Sequence, residues 1–169
     1  MNRGGYILVE ISVSYMILAL AIAALVPAFI LTLKANKSTE KIRIAGDLSR
    51  EMLEEVRMRR WDESTALGTP VHISSGTATL GIDTGETATN KATFDDIDDF
   101  NGWTESPPQD PLGNPMTVFN GYMRSVSVSY VSDGTYTVSV ATSNYKRVTA
   151  CTKATGITSV CLYTVLSNR

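Results

Sequence analysis

Met1-Asn2-Arg3-Gly4-Gly5-Tyr6-Ile7-Leu8-Val9-Glu10 opens the chain, and from Tyr6 to Leu33 Glu10 is the only charged residue. A carboxylate within an apolar stretch long enough to cross a membrane costs a few kcal/mol, so it marks function and calls for a partner. Three readings of the stretch compete. A cleaved secretory signal has an apolar core of roughly 7–15 residues before a small-x-small cut site. This run is about twice as long and shows no break after Ala19-Leu20-Ala21. A plain signal anchor fits the length, since about 20 apolar residues span a bilayer, but it leaves Glu10 without a purpose. In the third reading the chain is cut before the span, after Gly5. Tyr6 then becomes a positively charged N-terminus, four residues from Glu10 on the same helix.

The remaining composition narrows the function classes. The 169 residues hold 15 Lys+Arg against 17 Asp+Glu, and the mean hydropathy of zero averages a very apolar N-terminus with a Ser/Thr/Gly-rich remainder. With about 28 residues in the span, the rest suffices for one small domain. The basic clusters around Lys34–Arg43 and Arg57–Arg60 follow a helical pattern and read as a solvated or headgroup-facing face, so no nucleic-acid partner is indicated. Lys34, Lys37 and Lys41 sit beyond the span while the leader offers Arg3 and the amino terminus, so the positive-inside tendency does not support this orientation.

Gly4-Gly5-Tyr6-Ile7-Leu8-Val9-Glu10, followed by an apolar helix containing Pro27, resembles the N-terminal signal of type IV pilins and type II secretion pseudopilins. The resemblance implies cleavage after Gly5 by a prepilin peptidase, N-methylation of Tyr6, and assembly with other pilin or pseudopilin subunits through Glu10 and the helix. It also implies a single pass through the inner membrane, a periplasmic C-terminal domain, and later residence in a pilus or pseudopilus. Two departures stand out: Tyr6 replaces the more usual Phe or Met, and Ser12, Ser14 and Tyr15 make the span unusually polar. The motif covers about the first 30 residues, and it is specific because glycine, glutamate and span must coincide.

These boundaries divide the chain into a leader (1–5), a transmembrane and assembly helix (6–33), an amphipathic continuation (34–62) and a β-rich globular domain (63–169). Within the continuation, Ile44/Ala45, Leu48, Met52 and Val56 recur every three to four residues, a stripe for packing against a sheet. A continuous helix from Tyr6 to about Trp61 would be roughly 84 Å long at 1.5 Å per residue. Pro27 removes one helical hydrogen bond and predicts a kink, or a segment that bends or melts as subunits pack.

Further along, Val71–Ile73 and Ala78–Ile82 read as short strands, and Pro107, Pro108, Pro111 and Pro115 predict loops. Alternation predicts a hairpin of Met123–Val131 with Tyr136–Ala141 around a Ser132-Asp133-Gly134 loop. Val126 would face Val140, Val128 would face Val138, Tyr130 would face Tyr136, and Gly134 would be left-handed. A second hairpin joins Lys146–Lys153 to Ser159–Leu166 around Thr155-Gly156, with Val148, Ala150, Val160, Leu162 and Leu166 on its apolar face. The fold class is α+β: a long helix packed on an antiparallel sheet, the pilin-like layout.

Cys151 and Cys161 flank the second turn. A register that opposes them permits a cross-strand disulfide, whereas a three-residue loop ending at Gly156 leaves them diagonal as two free thiols. The space beyond Leu33 lies outside the cytoplasm in the pilin reading, where disulfides persist. In Phe94-Asp95-Asp96-Ile97-Asp98-Asp99-Phe100-Asn101-Gly102-Trp103, four carboxylates crowd five positions. Asp95, Asp96, Asp98 and Asp99 could ligate calcium, although EF-hand spacing is absent. The competing reading is an exposed acidic loop pinned to the sheet by Phe94, Ile97, Phe100 and Trp103. The stretch also resembles a loop of MSHA-type and PilV-like minor pilins.

Neither Cys-x-x-Cys nor a Gly-rich phosphate loop occurs, and the lone His72 has no nucleophile in its pattern. No catalytic set and no resident cofactor are expected. The leading expectation is a non-enzymatic minor pilin or pseudopilin. The alternative is a signal-anchored extracytoplasmic binding protein or enzyme that keeps its N-terminus and is indifferent to Glu10.

Overall fold

The computed structural model describes residues 3–62, 80–83, 85–139 and 142–168. Helix α1 (Arg3–Arg57) is followed by strands β1 (Thr104–Glu105), β2 (Tyr122–Tyr130), β3 (Tyr145–Ala154) and β4 (Val160–Ser167), which form one antiparallel sheet in the order β1-β2-β3-β4. The chain forms two compact units, Met1–Glu40 and Lys41–Arg169.

The described residues of the first unit are all helical. Its Ala-, Leu- and Ile-rich sequence favours helix. Hydroxyls within it bond back one turn: Ser12 Oγ donates to Leu8 O (2.8 Å), Ser14 Oγ to Glu10 O (2.8 Å) and Thr32 Oγ1 to Ala28 O (2.9 Å). Such bonds satisfy a hydroxyl without water. Pro27 lies within the helix, which runs through it to Arg57.

In the second unit the expected stripe is the buried face of α1. Ala45, Leu48, Met52 and Val56 are buried, and Met52 and Val56 join Val126, Val128, Val148 and Ala150 of the sheet in the core. Ser49 ties helix to sheet: its Oγ lies 2.7 Å from Thr152 Oγ1 and donates to Val160 O at 3.2 Å. The helix ends at Arg57, short of the expected Asp62.

The first predicted hairpin does not form as expected. β2 pairs with β3 instead, setting Val126 opposite Ala150 and Val128 opposite Val148. β3 offers a buried alternating face (Lys146, Val148, Ala150, Thr152) along the whole of β2, whereas Val138 is 58 % exposed. The segment after β2 makes a separate small turn, with Val131 bridging Val138 and Ser132 N–H donating to Thr137 O (2.8 Å). Gly134 is left-handed there as expected (φ 78°), and so is Tyr136 (φ 52°). Val140 and Ala141 lie outside the described residues.

The second hairpin has the expected register. Cys151 faces Cys161, and their sulfurs are bonded at 2.09 Å. Leu166 packs on the core while Leu162 is 37 % exposed, so only part of the anticipated apolar face is covered. Val71–Ile73 and His72 lie outside the described residues. So does Ala78–Thr79 of the predicted Ala78–Ile82 strand, whose described part, Leu80–Ile82, is not a strand.

Candidate functional site

Gly5, Tyr6, Glu10 and Pro27 all lie in α1, in the unit that has no core of its own. From Ile7 to Leu33 the apolar side chains are exposed, Ile7, Leu8, Ile17, Leu25 and Leu31 among them, and this helix is long and apolar enough to cross a membrane. An uncovered apolar surface of this extent needs lipid or neighbouring helices. Glu10 shares a shallow notch with Ile11, Ser14, Tyr15 and Leu18. Among the described residues, no cationic side chain forms an ion pair with Glu10.

The acidic loop departs from its expected exposure. Phe94, Ile97, Phe100 and Trp103 enter the core as anticipated, with the Phe94 ring edge-on to Phe100 and Trp103 at 5.1 Å. They carry the carboxylates inward with them: Asp96, Asp98 and Asp99 are 1 %, 3 % and 2 % exposed. Each buried carboxylate has a specific role. Asp98 Oδ1 accepts from Lys146 Nζ (2.7 Å), which also donates to Trp61 O (2.6 Å) and lies 4.8 Å from the Trp61 ring centroid. Asp96 Oδ1 accepts from the backbone N–H of Asp98 (2.9 Å), and Asp99 Oδ2 from those of Asp95 and Asp96 (2.9 Å each). Asp95, nearer the surface, pairs with Arg60. The loop therefore folds on itself, using its own carboxylates as acceptors for the N–H groups of Asp95 and Asp96 and for that of Asp98, which opens the 3₁₀ turn Asp98–Phe100.

The second oxygens of these groups are less well served. Asp96 Oδ2, Asp99 Oδ1 and Asp95 Oδ1 are buried without a hydrogen-bond partner. Burial, then the side-chain hydrogen bond with Asp98 and the charges of Asp98 and Asp99, push the Asp96 carboxyl up to about 8 from its usual 3.8, against the opposing pull of the Asp98 N–H. Folding then takes up a proton between those values. The stability contributed is fully present below about pH 3.8 and is lost as the pH rises to about 8. In chelator, melting of the parent chain should fall between about pH 5 and about pH 8, and Asp96→Asn should flatten that fall.

A second buried ionic cluster joins α1, the loop and the sheet edge. Lys91, fully buried, donates to Glu55 Oε2 (3.1 Å) and Gln109 O (2.9 Å) and lies 3.5 Å from Glu105 Oε2. Arg124, 1 % exposed, pairs with Glu105, its register partner on β1, and donates to Leu48 O (3.3 Å) and Gln109 O (2.6 Å). Trp103 Nε1 donates to Glu105 Oε2 at 3.1 Å. Burial raises the Glu55 carboxyl, against the opposing pull of Lys91. Sequence reasoning passed over Lys91, Glu105, Arg124 and Lys146, although alternation carried a signal for two of them. Arg124 is in phase with buried Val126 and Val128, and Lys146 with buried Val148 and Ala150.

The described residues define an α+β, pilin-like architecture: a long N-terminal helix whose later part packs on a four-stranded antiparallel sheet. No family model, curated protein or solved structure matches the chain.

Proposed function

We propose that the chain is a non-enzymatic minor pilin or pseudopilin subunit of a type IV pilus or type II secretion system. It enters the inner membrane with Met1–Gly5 on the cytoplasmic side, is cut after Gly5 by a prepilin peptidase, and is methylated on the amine of Tyr6. It then packs with other pilin or pseudopilin subunits through Tyr6–Leu33, holding the Lys41–Arg169 unit in the periplasm. The observation that carries this reading is Glu10, the lone charge in an exposed apolar helix, one turn from the amine that cleavage would create. In an apolar bundle that carboxylate needs a cation, and the Tyr6 amine of a neighbouring subunit supplies one.

Co-expression with a prepilin peptidase tests the reading. The parent chain should shorten by the leader, and Gly5→Val should keep it and stay out of the filament fraction. A parent chain of unchanged length would instead favour a signal-anchored protein that works alone.

A further inference from the structure

We propose that Asp83, Asp96 and Asp99 form a binding site for a calcium ion. The carboxylate oxygens that these residues offer lie within 4.8 Å of one another. Three oxygens spread evenly around one calcium ion at 2.3–2.6 Å lie about 4.0–4.5 Å apart, close to that spacing.

Clustered carboxylates alone would be a weak argument, because acidic loops are usually solvated. This cluster differs in that two of its members are built into the core. Asp96 and Asp99 are at most 2 % exposed, and backbone N–H groups already hold one oxygen of each, Asp96 Oδ1 and Asp99 Oδ2. The remaining oxygens, Asp96 Oδ2 and Asp99 Oδ1, are buried without a hydrogen-bond partner. A buried carboxyl oxygen without a hydrogen-bond partner is unfavourable. One divalent cation would satisfy both oxygens at once.

Among the described residues, Lys146 and Arg60 are committed elsewhere. Lys146 Nζ is held by Asp98 and Trp61 O, and Arg60 pairs with Asp95. Asp98 therefore drops out of the ligand set that the sequence suggested, and Asp83 enters it from a separate turn. The Asp83 N–H donates to Glu86 Oε2 (3.2 Å), and the Glu86 N–H to Asp83 O (3.3 Å). Asp83 is exposed, so it closes the set from the solvent side and leaves coordination positions to water. Glu86, Asp95 and Asp99 make a second compact group sharing Asp99. Because Arg60 engages Asp95, the Asp83 group is the centre and Glu86 and Asp95 flank it. Calcium tolerates an irregular set of six to eight oxygens, whereas magnesium requires near-octahedral geometry and sheds water reluctantly. Three carboxylates on two turns suit calcium, with a Kd in the range of extracellular calcium modules, about 10⁻⁴–10⁻³ M.

The site does not depend on the assembly reading, and its test is separate. The full chain in detergent micelles is melted in chelator and in rising calcium or magnesium chloride, with calorimetric titration of calcium alongside. Calcium should raise the midpoint by several degrees at concentrations far above Kd, and magnesium by less. Asp83→Asn, at an exposed position, should weaken calcium binding at least tenfold. Asp96→Asn keeps the oxygen that accepts the backbone N–H groups, so it should fold without calcium and lose the calcium response. Asp47→Asn, exposed on α1, should respond like the parent. No calcium-dependent shift in the parent, or parental shifts in both Asp83→Asn and Asp96→Asn, would overturn the site. An equal response to magnesium would overturn its assignment to calcium.

Discussion

Glu10→Ala should remove the chain from the filament, or slow its incorporation severely, while leaving the outer domain folded. In the proposed assembly Glu10 and the Tyr6 amine of a neighbour are buried together in an apolar bundle. Truncating one partner strands the other charge, at a cost of about 3–5 kcal/mol. At 1.4 kcal/mol per tenfold, that shifts incorporation by roughly two to three and a half orders of magnitude. Glu10 lies in the Met1–Glu40 unit, whereas every residue of the buried core belongs to the other unit. Melting of the outer domain should therefore match the parent, and a comparison of sheared filament with membrane fractions reads the assembly defect. Glu10→Gln keeps a hydrogen-bond acceptor without the charge and should fall between parent and Ala. Normal incorporation of Glu10→Ala would remove the proposed role of the carboxylate.

The largest effect on folding should come from Glu105→Ala. Glu105 is the anion between two buried cations, Lys91 and Arg124, and it also accepts from Trp103 Nε1. Its removal leaves Arg124 with the carbonyls of Leu48 and Gln109 and the half-exposed Glu51 carboxylate at 3.9 Å, and Lys91 with Glu55 and Gln109 O. Stranding a buried charge in this way costs about 3–5 kcal/mol, a large share of the stability of a domain this size. The contrast is Arg43–Asp47, whose side chains are 70 % and 69 % exposed. Asp47→Ala should cost about 0.5 kcal/mol or less. Denaturant unfolding of both variants decides the matter. If the two losses were similar, the buried cluster would not hold α1, the loop and β1 together.

The parts of this architecture that were legible in the sequence are those in which one periodicity or one register decides the answer. The Leu48-Met52-Val56 stripe repeats at helical spacing and is the buried face of α1. Cys151 and Cys161 can meet in only one register of their hairpin, and they are bonded in that register. The first hairpin misled because matching valines across a short turn says nothing of a longer competitor. β3 matches all of β2, and its ladder displaced the local pairing.

The charged interior was hard to read for a different reason. A charge reads by default as solvated, so Arg124 and Lys146 were passed over although each alternates in phase with core valines. Their buried partners come from distant segments: Glu105 is on another strand and Asp98 is in the acidic loop. The same default assigned that loop to the surface, when its four apolar residues carry three of its carboxylates into the core. Asp83 was invisible as a ligand because it approaches from a separate turn.

The central claim is that cleavage creates the charge that Glu10 needs. Its most direct test is tandem mass spectrometry of the N-terminal peptide of the chain isolated from its native membranes. The expected peptide begins at Tyr6 and carries one added methyl group on its amine. A peptide that begins at Met1, with the leader intact in assembled material, would contradict the account.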